Sequence, residues 1–236
     1  MRNSLFRFKE FEVDQTGCAM KINTDAVLLG AMADYDVPGH ILDIGTGTGV
    51  IAMMLAQRFP TALIDAVEID SQAVRTASKN FQNSSFSDRL KAIEGSFETL
   101  EKKYLYDLII SNPPFYTNSL HNPDERKKTA KHTDLSFFMT MLTFAQHMLQ
   151  PEGMLQLILP TDLAIEITAL AKGYDLHSIR TISIRSFEHT EAIRQIIFLQ
   201  KHGKQTTENR DFVIYANKGM HSTAYRQLLQ HFFLAF

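Results

Sequence analysis

Short apolar runs rich in Ile, Leu and Val recur between residues 40 and 200, with segments of helical period between them. The first are His40–Ile44, Leu63–Ile69, Leu90–Glu94 and Tyr106–Ser111, followed by Met154–Pro160, Ser178–Ser186 and Ala192–Gln200. Strands joined through helices need crossover connections, so this alternation predicts an α/β domain built on a mostly parallel sheet, with helices on both faces. Among the helical segments, Val50–Phe59 gathers Ile51, Met54 and Leu55 on one face, and Gln72–Phe81 follows Ser71, a candidate cap for its first turn. Leu135–Leu149 is the longest, closed by Pro151 and Gly153. The last two runs differ. Between them lies only Phe187–Thr190, too short for a crossover, which predicts an antiparallel hairpin.

A chain of 236 residues can bury a full core in one domain. The runs place that core at residues 36–201. Residues 1–35 form a cap segment whose helix, Lys21–Ala33, opens at Asn23 or Thr24 and packs over the mouth of the domain. Residues 202–236 form an extension that packs on the core: a polar, loop-like stretch at 202–211, a strand-like Phe212–Tyr215 and an aromatic helix, Ala224–Phe236.

Composition narrows the function classes. Hydrophobic residues at 44% and charged residues at 21% describe an ordinary soluble globular protein, neither disordered nor fibrous. A net charge of −2 gives no whole-protein pull toward nucleic acid or anionic membrane, so a polyanionic partner needs a local basic patch. With Cys18 as its only cysteine, the chain can form neither an intrachain disulfide nor a thiolate metal cluster, which suits a reducing, cytoplasmic setting. The first fourteen residues carry charges throughout and lack the apolar stretch of a secretory signal. No later run approaches the ~18–20 apolar residues that span a bilayer. The nine histidines form no H-E-x-x-H and pair with no second cysteine, so no metal is expected.

The strand His40–Ile44 runs into Asp43-Ile44-Gly45-Thr46-Gly47-Thr48-Gly49 and then a helix. Glycine lets a backbone turn sharply and approach a ligand closely, so a strand-to-helix glycine loop is a small-molecule site. A dinucleotide fingerprint needs G-x-G-x-x-G or A; here the spacing is G-x-G-x-G and position 50 is Val, which favours a methionine-bearing adenosine over a pyrophosphate. The second strand ends in Glu68-Ile69-Asp70, where an acid can accept both hydroxyl hydrogens of a ribose; Glu68 is the choice for that role. A tight turn without ligand is the alternative for the loop taken alone.

The fourth run ends in Asn112-Pro113-Pro114-Phe115. An exocyclic amine on a ring is a poor nucleophile because its lone pair is delocalised. Two acceptors, the Asn112 carboxamide oxygen and the Pro113 carbonyl, can bind its two hydrogens and favour a pyramidal nitrogen aimed at an incoming methyl group. No strong general base is then needed, since the nitrogen becomes acidic only after methylation. Phe115 would stack on the base, and Tyr116 lines the same slot. The bland alternative is a proline pair that ends a strand, with Asn112 satisfying local backbone groups.

Five parallel strands with an appended hairpin, the glycine loop, the strand-end acid and this tetrapeptide together resemble the class I S-adenosylmethionine-dependent methyltransferases, a Rossmann-like fold with a seven-stranded sheet. Within them the tetrapeptide resembles the amino-methyltransferases of adenine N6, guanine N2, cytosine N4 or protein glutamine. The segments Phe6–Lys9, Cys18–Ala31, Lys131–Asp134 and Phe232–Phe236 resemble the bacterial tRNA1(Val) (adenine(37)-N6)-methyltransferases, over nearly the whole chain. That resemblance implies S-adenosylmethionine as cofactor, N6 of adenine-37 in a valine tRNA as acceptor, a cytoplasmic setting and a monomer. It also implies a cofactor site of Asp43, Gly45, Thr46, Gly47, Gly49, Glu68, Ile69 and Asn112, with Lys21, Thr24 and Asp25 on a helix closing over the methionine end. The family position for the adenine contact falls at Gly95-Ser96-Phe97, where many relatives carry Asp and this chain has Ser96; Phe97 stacks on the ring or belongs to the core. An ordinary helix cap is the alternative reading of Thr24. Arg126, Lys127, Lys128 and Lys131 put four cations just after the tetrapeptide, to meet RNA phosphate or to form a solvated face. Guanine-N2 methylation of ribosomal RNA, glutamine methylation and a non-catalytic RNA-binding module are the other readings.

Overall fold

A computed structural model describes residues 4–18, 21–113, 125–203 and 207–236, and for residues 125–134 the helical backbone alone. In chain order the elements are β1 (Leu5–Arg7), β2 (Glu12–Asp14), α1 (Thr24–Met32), β3 (His40–Ile44), α2 (Val50–Arg58), β4 (Leu63–Glu68), α3 (Ser71–Gln82), β5 (Leu90–Glu94) and β6 (Tyr106–Ser111). Then come α4 (Glu125–Met148), β7 (Leu149–Pro160), α5 (Thr161–Ala171), β8 (Leu176–Arg185), β9 (Ala192–Lys201), β10 (Glu208–Val213), β11 (Tyr215–Asn217), β12 (Met220–His221) and α6 (Thr223–Leu229).

The main sheet has the order β10-β8-β9-β7-β6-β3-β4-β5. Its five strands from β5 to β7 are mutually parallel. The expected hairpin is present, β8 pairing antiparallel with β9, and β9 antiparallel with β7. The sheet holds an eighth strand beyond the seven expected, because β10 adds parallel to β8 and takes the outer edge from the hairpin. Residues 208–211, read from their polarity as loop, belong to that strand. Edge strands are held by backbone pairing on one side and carry charges that discourage further pairing. On β10, Glu208 pairs with Arg180, and Asp211 with Arg185.

Local physics explains the other boundaries. The α1 helix begins at Thr24, and its cap is Asn23, whose side chain accepts from the Ala26 amide at 2.8 Å. Asp70 rather than Ser71 caps α3, accepting from the Ala73 amide at 2.7 Å. The α4 helix starts ten residues before the apolar periodicity does, at Glu125, and α6 stops at Leu229 instead of running to Phe236.

Two apolar layers cover the sheet. On one face α1, α2 and α6 pack with Ile41, Ile64, Leu108, Ile158 and Phe198; on the other α4 and α5 pack with Leu42, Ile109, Leu155, Leu157 and Leu199. All ten of these strand residues are essentially inaccessible, and burying each such side chain contributes about 1.5–3 kcal/mol. The β1–β2 hairpin closes on the C-terminal segment, where Phe8 bridges Phe233 and Lys9 Nζ donates to the carbonyls of Gln230 and Phe236.

Candidate active site

The C-terminal ends of β3, β4 and β6 lie side by side, so the glycine loop, Glu68 and Asn112 share one end of the sheet. Ser111 Oγ donates to the Ile44 carbonyl at 2.8 Å, tying the strand end that bears Asn112 to the strand end that opens the loop. Asn112 is half-buried and Pro113 buried. Pro114, Phe115 and Tyr116 lie outside the described residues, as do the side chains of Arg126, Lys127, Lys128 and Lys131, whose backbone forms the first turns of α4.

The loop's amides are engaged within the protein. Those of Gly45 and Thr46 donate to the Val67 carbonyl at 2.9 and 3.2 Å, that of Gly49 donates to Thr46 at 2.8 Å, and that of Gly47 donates to Glu68 Oε2 at 3.0 Å. A pyrophosphate site needs such amides pointing at the ligand; these four point at β4 and at the loop itself. The loop offers open surface instead: a β-carbon built at Gly45 or Gly47 would meet no atom within 4 Å. Gly49 is required for a different reason. Its φ is +84°, and a β-carbon there would lie 2.4 Å from the Phe81 ring.

Asp43 stands fully buried beneath the loop, accepting from the Thr46 hydroxyl at 2.6 Å. Its other oxygen is buried and makes no well-formed hydrogen bond among the described residues, although the Ala52 amide in the first turn of α2 lies against the carboxylate. Burial pushes this carboxyl up to about 7, against the opposing bonds from Thr46 and the Ala52 amide. A buried carboxylate under an open, main-chain-lined loop fits a cofactor with a cationic methionine portion better than it fits an anion.

At the end of β4 the Glu68 carboxylate also accepts from the amides of Ile69 and Asp70, at 2.9 and 3.1 Å. A carboxylate has roughly four acceptor positions, so three backbone donors hold Glu68 in place and leave acceptor capacity. Beside it Ile69 is 76% exposed, a bare apolar side chain at the mouth of the site. Ser96 caps a single helical turn by accepting from the Glu98 amide. Phe97 falls to its core alternative, being buried with edge-to-face contacts to Phe137 and Phe144 of α4. On α1, Lys21 and Thr24 are exposed just outside and at the first helical position, while Asp25 forms an ion pair with Arg194 of β9 at 2.9 Å.

Two side chains important to this geometry had no role in the sequence reading. Asn80 in α3 is buried and donates to the carbonyls of Thr48 and Asp14, both at 2.9 Å, fastening the glycine loop to the N-terminal hairpin. A polar residue on the apolar face of an amphipathic helix, beside Ala77 and Phe81, was its available signal. Arg194 joins the hairpin to α1 and carries no local signal. Among the described residues there is no group of three or more His, Cys, Asp or Glu that could hold a metal, and no helix long and apolar enough to cross a membrane.

A sheet of this order, with a glycine loop and a strand-end acid at one end, defines a class I methyltransferase fold. The family profile "Methyltransferase small domain" matches residues 18–176. A solved structure of a predicted O-methyltransferase from Agrobacterium tumefaciens shares the fold at a TM-score of 0.69, with 20% identity over 88% of this chain and 96% of its own. Sequence carries the assignment further. A tRNA1(Val) (adenine(37)-N6)-methyltransferase of Pedobacter heparinus is 52% identical over 236 residues, 100% of both chains, and one of Porphyromonas gingivalis is 40% identical over 99% of this chain and 96% of its own. The chain belongs to the tRNA1(Val) (adenine(37)-N6)-methyltransferase family.

Proposed function

We propose that this chain transfers a methyl group from S-adenosylmethionine to the exocyclic N6 of adenine-37 in the anticodon loop of tRNA1(Val). The observation that carries the cofactor part of the reading is the glycine loop, with four amides turned inward, an open outer side and a buried carboxylate below; the family's tRNA1(Val) relatives carry the acceptor. When bound, S-adenosylmethionine supplies an electrophilic methyl group on a sulfonium, so the protein has to position more than activate.

Glu68 accepts the ribose hydroxyls, Ile69 covers one face of the adenine, and Gly45, Thr46, Gly47 and Gly49 line the cofactor with main chain above Asp43. Ser96 stands at the far edge of the adenine, and Lys21, Thr24 and Asp25 close the methionine end. Asn112 Oδ1 and the Pro113 carbonyl accept the two N6 hydrogens, holding the nitrogen pyramidal. Pro114 stiffens the turn, while Phe115 and Tyr116 clasp the base. After transfer the proton leaves from an acidic N-methylated nitrogen to solvent.

An anticodon-loop adenine is already unpaired, so seating it takes less unstacking than flipping a base out of a duplex. Arg126, Lys127, Lys128 and Lys131 supply the local positive charge that a protein of net charge −2 otherwise lacks. On this reading the chain works as a cytoplasmic monomer, with residues 1–35 as a cap, 36–201 as the catalytic core and 202–236 as an extension.

The direct test incubates the protein with labelled S-adenosylmethionine and total tRNA from a strain lacking the activity, followed by nucleoside mass spectrometry. N6-methyladenosine at position 37 of tRNA1(Val) is expected. Label on guanosine, on protein or on nothing rejects the proposal.

A further inference from the structure

Five rings form a column along the side of the molecule. His189 lies over Phe187 with centroids 5.8 Å apart and planes at 18°, and Phe187 lies beside Tyr215 at 5.7 Å and 36°. Tyr215 stacks on His221 at 5.0 Å and 22°, and His221 on Tyr225 at 4.4 Å and 9°. The inner end is core: Tyr225 is buried against Phe212 and Phe236. Moving outward, His221, Tyr215 and Phe187 are half-buried, and His189 is exposed. Packing accounts for the inner rings but not for a column that continues into solvent.

The outer rings are held firmly. Phe187 and Thr190 close the hairpin loop by exchanging hydrogen bonds, the Phe187 amide donating to Thr190 Oγ1 at 3.0 Å and that hydroxyl donating back to the Phe187 carbonyl at 2.8 Å. Arg185 Nη1 donates to the Thr190 carbonyl at 2.6 Å. The amides of Ile214 and Tyr215 donate to the carbonyls of Arg185 and Ser186, fixing β11 to the same loop. Pre-ordered aromatic faces lose little entropy when a partner stacks on them.

Topology sets their place relative to the reaction. Because β8 is antiparallel to β9, and β9 to β7, the ends of β8 and β10 point the same way as those of β3, β4 and β6. The hairpin loop therefore sits at the active-site end, three strands from Asn112, or about 15 Å at the usual spacing. Exposed Lys218 and Arg226 stand close in sequence to Tyr215 and Tyr225, and exposed Glu188 and Glu191 stand on the loop beside His189, so the ledge has no net positive charge of its own. An open ring face at His189, backed by further rings and a few nucleotides' reach from a slot for an unpaired base, matches a single-stranded nucleic acid held by stacking.

We propose that His189, backed by Phe187, Tyr215 and His221, forms a stacking ledge for an unpaired nucleobase of the RNA substrate flanking the adenine that is methylated. The ledge rests on the function proposed above. Its chemistry tolerates any base, so it contributes affinity and orientation while the methyl-transfer slot selects the adenine.

The test uses the full chain and an anticodon stem-loop of tRNA1(Val) carrying 2-aminopurine in turn at each loop position next to the target. Phe187→Leu and His189→Leu remove a ring while keeping apolar bulk. Binding to the wild type should quench the fluorophore at one or more positions. Each variant should lose that quenching, raise Kd and KM for the RNA about tenfold, and keep kcat at saturating RNA and the salt slope of binding. Quenching and Kd unchanged in both variants, while the wild type methylates normally, overturn the ledge alone. A wild type that transfers no methyl group to the stem-loop or to intact tRNA overturns the function on which it rests. Since His189 is exposed, its variant remains informative should Phe187→Leu lower the melting temperature.

Discussion

The carboxamide nitrogen of Asn80 lies 2.9 Å from the carbonyl oxygen of Thr48, so a buried helix residue fastens the glycine loop from behind. Its oxygen also accepts from the Asp14 amide at 2.9 Å. Asn80→Ala leaves that amide and two carbonyls without their partner in a buried setting, a loss of about 2–3 kcal/mol. Denaturant unfolding should show this as a lower midpoint at unchanged slope, and calorimetry should show weaker S-adenosylmethionine binding. A variant that is destabilised yet binds the cofactor normally would separate the fastening from the site.

Glu68→Ala removes the acceptor proposed for the ribose together with the brace on Gly47. Cofactor affinity measured by calorimetry should fall at least about tenfold, the equivalent of one lost charge-assisted hydrogen bond. Unchanged affinity rejects the ribose contact.

Asn112→Ala should act on turnover. Donors and acceptors aimed at a reacting centre are typically worth about 100–1,000-fold in kcat, and cofactor affinity should change little by comparison. Equal losses in both would take the amide out of its assigned role.

Asp43 gives a pH dependence of defined sign. Its carboxyl is near 3.8 when unfolded and is pushed up to about 7 in the fold, so between those values the native state binds more protons than the unfolded chain. Its contribution to stability therefore falls as pH rises from about 4 to about 7, and the penalty is complete above that window. Asp43→Asn keeps an acceptor for Thr46 and abolishes the titration. The cofactor-free variant should melt above the wild type at pH 8, with the difference shrinking toward pH 4. A difference that does not vary with pH would assign the change to packing alone.

Neutralising Arg126, Lys127 and Lys128 together should raise KM for tRNA and flatten its dependence on salt, because each lost phosphate contact in a single-stranded loop lowers the slope of log K against log salt by about 0.7. An unaltered slope marks the start of α4 as ordinary surface.

Much of this architecture can be read from the chain, and the parts that cannot share a physical cause. The central strands, buried on both faces, appear as apolar runs, and His40–Ile44 and Tyr106–Ser111 match to the residue, as does the half-exposed edge strand Leu90–Glu94. The β10 strand is missed in part because Glu208-Asn209-Arg210-Asp211 is exposed and pairs through backbone, which leaves no apolar pattern. The first ten residues of α4 are polar and carry no periodicity. At the site, the glycine loop, Glu68 and Asn112 announce themselves through local motifs. Asn80 and Arg194 do not, since their partners Asp14 and Asp25 lie 66 and 169 residues away.

The inward-turned amides of the glycine loop also limit how such a chain can diverge. Exchanging the sulfonium donor for a nicotinamide or nucleotide would require new hydrogen bonds for Val67, Thr46 and Glu68 at once, a rebuilding of the junction between two central strands. The rings of the outer column, by contrast, are side chains, each replaceable singly. Descendants of this scaffold can acquire new acceptors far more readily than a new donor.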